Sequence, residues 1–391
     1  MLPRNVYLLS FCLALTMAGA PMIVLLGGII GAELSGDPSL VTMPIAVMLV
    51  GSALFSAPAA LIMRKFGRRS SFVGAALIAA ACALTAAGAI HLKSFLLFCA
   101  ATFTIGTTSA FVMQYRFAAI ESVDADSVGK AVSMVLLGGI AAAFLGPELV
   151  KHTRDWLPYG AYTGSFVGLA GFYLLAALVL SFYRNIGPGT ASPSSNGRPL
   201  WDVVRQPVFI TAVAAGAISY GVMSFIMTAT PVSMHIMDCH SLQDTAWVIQ
   251  SHVMAMYLPS LFTGHLITRF GMFRIMIAGL FCMAACVGIA LLNREIIHYW
   301  GALVLLGVGW NFLFVGGTSL LTKAYRPEER FRVQAVNDFL VFGFQALASL
   351  SAGAVIHRWG WDWVNLLSIP LLIFMALLLV KGEMRKTAAA G

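Results

Sequence analysis

Apolar runs recur along the chain, separated by short polar segments, and most are long enough to cross a bilayer. A spanning helix needs about 20 such residues. Twelve runs are expected, at about 6–33, 38–63, 71–90, 94–119, 130–150, 162–183, 207–230, 245–267, 272–292, 297–322, 333–356 and 361–380. Nothing left over is long enough for a soluble domain. One segment, 184–206, differs in kind: around Gly187-Pro188-Gly189 and Ser192-Pro193-Ser194-Ser195 it is Gly-, Ser- and Pro-rich. Such a stretch cannot bury enough apolar surface to fold alone. The pattern predicts an all-α membrane protein of twelve transmembrane helices, with a bundle of six over 1–183, a cytoplasmic linker over 184–206 and a second bundle of six over 207–391.

Between the second and third runs lies Arg64-Lys65-Phe66-Gly67-Arg68-Arg69. Four cations within six residues (Arg64, Lys65, Arg68 and Arg69) cannot rest in hydrocarbon and mark a tight loop on the side where Lys and Arg are retained. Gly67 suits a turn that a Cβ would resist. The arrangement returns 204 residues later as Gly264-His265-Leu266-Ile267-Thr268-Arg269-Phe270-Gly271, with Lys65 falling on Arg269 and Gly67 on Gly271. Further echoes are Gly19-Ala20-Pro21 against Ala229-Thr230-Pro231, and the acid-then-base loops Glu121–Lys130 and Tyr325–Arg330. Such echoes half a chain apart indicate a duplicated membrane protein.

The basic loop resembles the signature G-x-L-a-D-R-x-G-R-[RK] of the major facilitator superfamily, which lies between the second and third helices of each half. Gly264, Leu266, Arg269 and Gly271 match it in the second copy, and Lys65, Gly67, Arg68 and Arg69 in the first. The pattern's Asp is replaced by Arg64 and Thr268, so the latch between halves attributed to that carboxylate must be weaker or built otherwise. The resemblance covers the chain at the level of span order and implies two parallel-related bundles, each of nested inverted repeats, moving a small solute by alternating access. It also implies that the first, fourth, seventh and tenth spans line the path. Gly146-Pro147 resembles part of a fifth-span motif of proton-driven exporters, without its later glycines.

Composition fits: 10% of residues are charged, 59% are apolar and mean hydropathy is +0.87. The net charge of +8 raises nucleic acid as a partner, but placement decides against it. With the N-terminus inside, 18 Lys and Arg fall on the cytoplasmic side, five on the other, and Arg116 inside a span. That asymmetry orients a multi-pass protein in the cell inner membrane with both termini cytoplasmic. The first apolar run continues past Ala18-Gly19-Ala20 to Ile30, too long for a cleaved leader, and reads as a retained span. Of six cysteines only Cys239 lies outside a span, which is no disulfide framework. No cofactor or metal is expected, the partners being the bilayer, a small-molecule substrate and protons as candidate coupling ion, and the chain is read as a monomer.

Candidate substrate contacts are the polar and aromatic residues within spans: Gln114, Arg116, Tyr220, Gln250, His252, Trp310, Asn311 and Gln345. Each competes with a structural role in helix–helix hydrogen bonding or interfacial anchoring. Arg116 lies roughly 8 Å inside a span boundary and reads as a gate, a structural pair or a ligand contact. His252 lies about 18 Å from the basic end, near mid-bilayer, and reads as substrate contact, proton carrier or structural bond. Coupling or gating candidates are His252, Asp338, Glu148 and the loop cations Arg64, Lys65, Arg68, Arg69 and Arg269. Glu148 is expected near the outer surface, roughly 27 Å along its helix from Lys130.

The function expected is secondary active transport of a small organic solute, coupled to protons. The alternatives are uncoupled facilitation of a metabolite or of a vitamin such as a flavin, multidrug or metabolite export, and a non-transporting receptor. No Gly-rich phosphate loop supports ATP drive. No clustered nucleophile, acid pair or metal site argues for an enzyme.

Overall fold

The computed structural model describes residues 2–124, 128–185, 198–326 and 329–388. Asp126, most of the expected linker and Glu328 lie outside them, as do the side chains of Arg64 and Lys130. Among the described residues all regular structure is helical. The helices are α1 (Arg4–Met17), α2 (Gly19–Ser35), α3 (Met43–Phe66), α4 (Arg68–His91), α5 (Phe95–Val112), α6 (Tyr115–Ile120), α7 (Val128–Thr153) and α8 (Thr163–Leu180). Then follow α9 (Leu200–Val204), α10 (Pro207–Pro231), α11 (Leu242–Tyr257), α12 (Ser260–Phe270), α13 (Met272–Ala290), α14 (Ile296–Leu321), α15 (Arg330–Leu366) and α16 (Ile369–Ala388).

Nine segments among the described residues are long and apolar enough to cross a membrane. Against the expected twelve, the longest of these, Arg332–Gly382, is interrupted by Gly360 at φ 80°, ψ −176°. Outside the nine, α7 has 26 residues, and α11 and α12 have 16 and 11.

The breaks follow from local chemistry. Pro21 has no N–H to donate one turn back, and the chain bends between α1 and α2 at Ala18. Pro259 separates α11 from α12, and after Pro231 the backbone widens into a π-turn over Val232–Met237. Gly67 and Gly271 end α3 and α12 at φ 79° and φ 89°, so the two echoed glycines share one backbone conformation that residues with a Cβ rarely adopt.

The chain divides into two compact units, Met1–Gly189 with Ser241–Ala246, and Thr190–His240 with Trp247–Gly391. In the first, α1 packs on α7, α3 on α5, and α4 on α8 and α5. Small residues permit close approach: a Cβ at Gly106 of α5 would run into the Met48 carbonyl of α3. In the second, α10 packs between α14 and α15, and α13 lies against α14.

Candidate functional site

The second unit carries the densest set of candidate residues, and helical spacing explains why. Tyr220, Ser224 and Thr228 recur every four residues on α10 and so share one face. Phe342, Gln345 and Ser349, three and four residues apart, likewise share a face on α15, which packs against it. The two faces meet rung by rung. Tyr220 meets Phe342 with ring centroids 5.4 Å apart, Gln345 Nε2 donates to Ser224 Oγ at 2.8 Å, and the Thr228 and Ser349 hydroxyls lie 3.0 Å apart.

Across from this ladder, α14 presents Trp310 and Phe314, stacked at 5.1 Å and 16°. Tyr220 meets both edge-on at 5.0 Å, and Tyr257 of α11 stands 6.1 Å from Trp310. Edge-to-face and offset pairs of this kind add to stability beyond the area they bury. The cluster is therefore a stiff aromatic wall with one polar anomaly. Trp310 is 3% exposed, and its indole Nε1 is buried without a hydrogen-bond partner. A buried donor left unpaired costs on the order of 1–3 kcal/mol, and such groups concentrate where function needs them.

Asn311, the next residue, behaves differently. Its Nδ2 donates to the Met256 carbonyl at 2.7 Å and to Ser260 Oγ, and its Oδ1 accepts from Thr263 Oγ1 at 2.6 Å. It bridges the α11–α12 break made by Pro259, and both amide hydrogens are engaged by protein groups. His252 is fully buried, with Nδ1 2.7 Å from the Leu303 carbonyl. A carbonyl only accepts, so Nδ1 carries the proton and Nε2 is left as a bare acceptor with no partner. Gln250 is buried two residues earlier on α11.

The remaining candidates do not join this cluster. Gln114 and Arg116 sit where α5 gives way to α6, and Arg116 is exposed with its guanidinium 4.8 Å from the Phe117 ring centroid. It makes no ion pair among the described residues. Glu148 holds Lys151 at 2.6 Å and lies beside His152, near the end of α7 away from the basic loops. Asp338, near the start of α15, accepts from Asn337 Nδ2 at 3.1 Å.

At the basic end, Arg68 grips the Glu121 carboxylate through Nε at 2.8 Å and through Nη2. The Arg69 N–H donates to Asn185 Oδ1 at 2.9 Å, bracing the Gly67 turn against the end of α8. Lys65 and Arg269 instead lie over Phe66 and Phe270, and Arg64 falls among the undescribed side chains. A second constellation escaped the sequence reading. Glu329 is fully buried and accepts from Arg198 Nε at 2.8 Å, Arg198 Nη2 at 2.7 Å and the Arg326 N–H at 2.9 Å. The Arg198 guanidinium, helped by that backbone N–H, holds its carboxyl well below the usual carboxylate range.

The family model for the Major Facilitator Superfamily matches residues 6–344 and 238–390. The chain belongs to that superfamily. A protein described as riboflavin transporter RfnT, of Brucella anthropi, is 42% identical over 99% of this chain and 98% of its own. YddS of Bacillus subtilis, an uncharacterized MFS-type transporter, is 27% identical over 86% of this chain and 80% of its own. Among solved structures, the nucleoside transporter NupG superposes with a TM-score of 0.74 at 12% identity, covering 97% of this chain and 99% of that one. A bacterial homolog of the human lysosomal transporter Spinster gives 0.70 at 13%, covering 96% and 95%. These likenesses carry the fold. The family and the 42% identical relative make this chain a multi-pass membrane transporter of a small solute, and not an enzyme.

Phe314 and Asn185 were missed because neither stands out in an apolar run or a polar linker. Aromatic spacing on the tenth span was the available signal for Phe314, four residues from Trp310.

Proposed function

We propose that the chain moves a flat, uncharged heteroaromatic solute, riboflavin or a close chemical relative, across the cell inner membrane by alternating access. The observation that carries this reading is the wall built by Tyr220, Trp310, Phe314 and Phe342, which offers ring faces and one unpaired indole donor. A planar ring system stacks on such faces, and a carbonyl on its edge relieves the buried donor. The 42% identity to a riboflavin transporter over nearly the full length supports the same class. Gln345, Gln250 and His252 supply further polar contacts, while Asn311 holds the α11–α12 break in place. At the α5–α6 joint Gln114 remains a candidate solute contact, while Arg116 serves gating with Arg68, Arg69, Lys65 and Arg64 of the same unit, and Arg269 serves it in the second unit.

Coupling to protons would run through Asp338 and Glu148, which sit near the ends of spans. Uncoupled facilitation is the second reading, favoured because no acid in the sequence falls mid-span. The test is growth of a riboflavin-requiring bacterium that lacks its own uptake system, on limiting riboflavin, with the chain expressed. Growth that is lost with Trp310→Ala at equal membrane abundance supports the reading, and no growth from the intact chain defeats it. Riboflavin uptake by these cells over minutes that is unchanged by a protonophore selects facilitation.

A further inference from the structure

The start of α1 and the end of α8 are stitched together at the basic end of the first unit, and the stitch gathers cations that no carboxylate neutralises. Asn5 donates from Nδ2 to the Arg184 carbonyl at 2.9 Å and accepts from the Arg184 N–H at 3.3 Å. Asn185, the next residue, accepts from the Arg69 N–H at 2.9 Å. Arg4, Arg69 and Arg184 are thereby brought to one patch from α1, α4 and the end of α8, and all three are exposed. Among the described residues none of the three forms an ion pair, whereas Arg68 is held by Glu121. Three like charges at one place repel one another, so the patch suits an anion supplied from outside the chain.

An apolar track leads away from it. α1 and α8 pack antiparallel: Asn5 meets Arg184, and further along Cys12 Sγ meets the Ala176 carbonyl at 3.8 Å. Arg4, Tyr7 and Phe11 recur at helical spacing and are the exposed residues of α1. On the exposed side of the other helix lie Leu178 and Phe182, four residues apart. The antiparallel register sets Tyr7 and Phe11 about level with Phe182 and Leu178. The Arg4 guanidinium, 5.9 Å from the Phe182 ring centroid, joins the two rows at their charged end.

We propose that this patch and track bind one anionic phospholipid from the bilayer leaflet at the basic end. Arg4, Arg69 and Arg184 take the phosphate, and an acyl chain lies along Tyr7, Phe11, Leu178 and Phe182. Guanidinium forks match phosphate oxygens, and basic pockets at the ends of spanning helices recruit such headgroups. A zwitterionic lipid carries its own cation into the three arginines and is disfavoured there. A chain-free phosphate leaves the apolar rows uncovered. The inference concerns the bilayer and does not depend on which solute is carried.

The experiment is native mass spectrometry of the delipidated full-length protein in a neutral detergent, titrated with phosphatidylglycerol or with phosphatidylcholine of identical chains. The intact protein is expected to bind the first lipid at least tenfold more tightly. Arg4→Gln, Arg69→Gln and Arg184→Gln should each weaken that binding about fivefold, and the triple variant should erase the preference. Arg274→Gln, Lys323→Gln and Arg326→Gln together remove the same charge from exposed positions of the second unit and should leave the preference intact. Equal affinity of the two lipids for the intact protein overturns the proposal and needs no variant. Loss of the preference in the second-unit triple variant to the same degree overturns the site in favour of overall charge. Glycerophosphoglycerol, the headgroup without chains, is expected to bind at least tenfold more weakly, and equal binding overturns the apolar track.

Discussion

Neighbouring residues of α14 divide labour that their types alone do not distinguish. Asn311 uses both ends of its amide to close the α11–α12 break, so Asn311→Ala removes the donor to the Met256 carbonyl in a buried seam and leaves the Thr263 hydroxyl only the Pro259 carbonyl. It should destabilise the fold by about 1–3 kcal/mol, read as a lower midpoint of thermal unfolding in detergent. Trp310→Phe makes the opposite prediction. It keeps a ring in the wall and removes an unpaired donor, so thermal stability should hold or rise while solute uptake falls several-fold. Both residues stood out in the sequence as polar or aromatic members of an apolar run. Which is the clip and which is the wall depends on partners 48 to 55 residues away, and helical period carries no record of those.

Helix ends and turns were the most legible elements. The prolines at 21 and 231 mark two breaks and the echoed glycines mark the turns between α3 and α4 and between α12 and α13, whereas the break at Pro259 falls inside the single run expected at 245–267. With φ of 79° and 89° and ψ of 159° and 148°, Gly67→Ala and Gly271→Ala should each cost about 1–3 kcal/mol in backbone strain. Gly67→Ala should be the worse of the two in a thermal melt, since its methyl also meets the Asn185 amide at 3.1 Å whereas nothing lies within 4 Å of the other. The Glu329 anchor was illegible, because it joins the far end of the linker to the turn before α15 across 131 residues. Its carboxyl is held below its ordinary value, so its contribution to stability is complete above about pH 4.5 and is lost as pH falls towards the lower folded-state value. Glu329→Gln should therefore melt earlier than the intact chain at pH 7 and show a shallower loss of stability on acidification.

At the scale of the molecule, membrane character, the internal duplication and the basic end were all written in the spacing of apolar runs and cations, because bilayer thickness and insertion impose them directly. Solute identity was not, since stacking faces and edge contacts are assembled from α10, α11, α14 and α15, which are far apart in sequence. The central claim is that these helices carry a flat heteroaromatic solute across a membrane. Its most direct test is entry of radiolabelled riboflavin into proteoliposomes containing the purified chain, followed by the label trapped inside. The account predicts saturable uptake above protein-free vesicles, competed by unlabelled flavin and reduced at least several-fold by Tyr220→Ala. Uptake no faster than into empty vesicles, with or without a pH gradient, would contradict it.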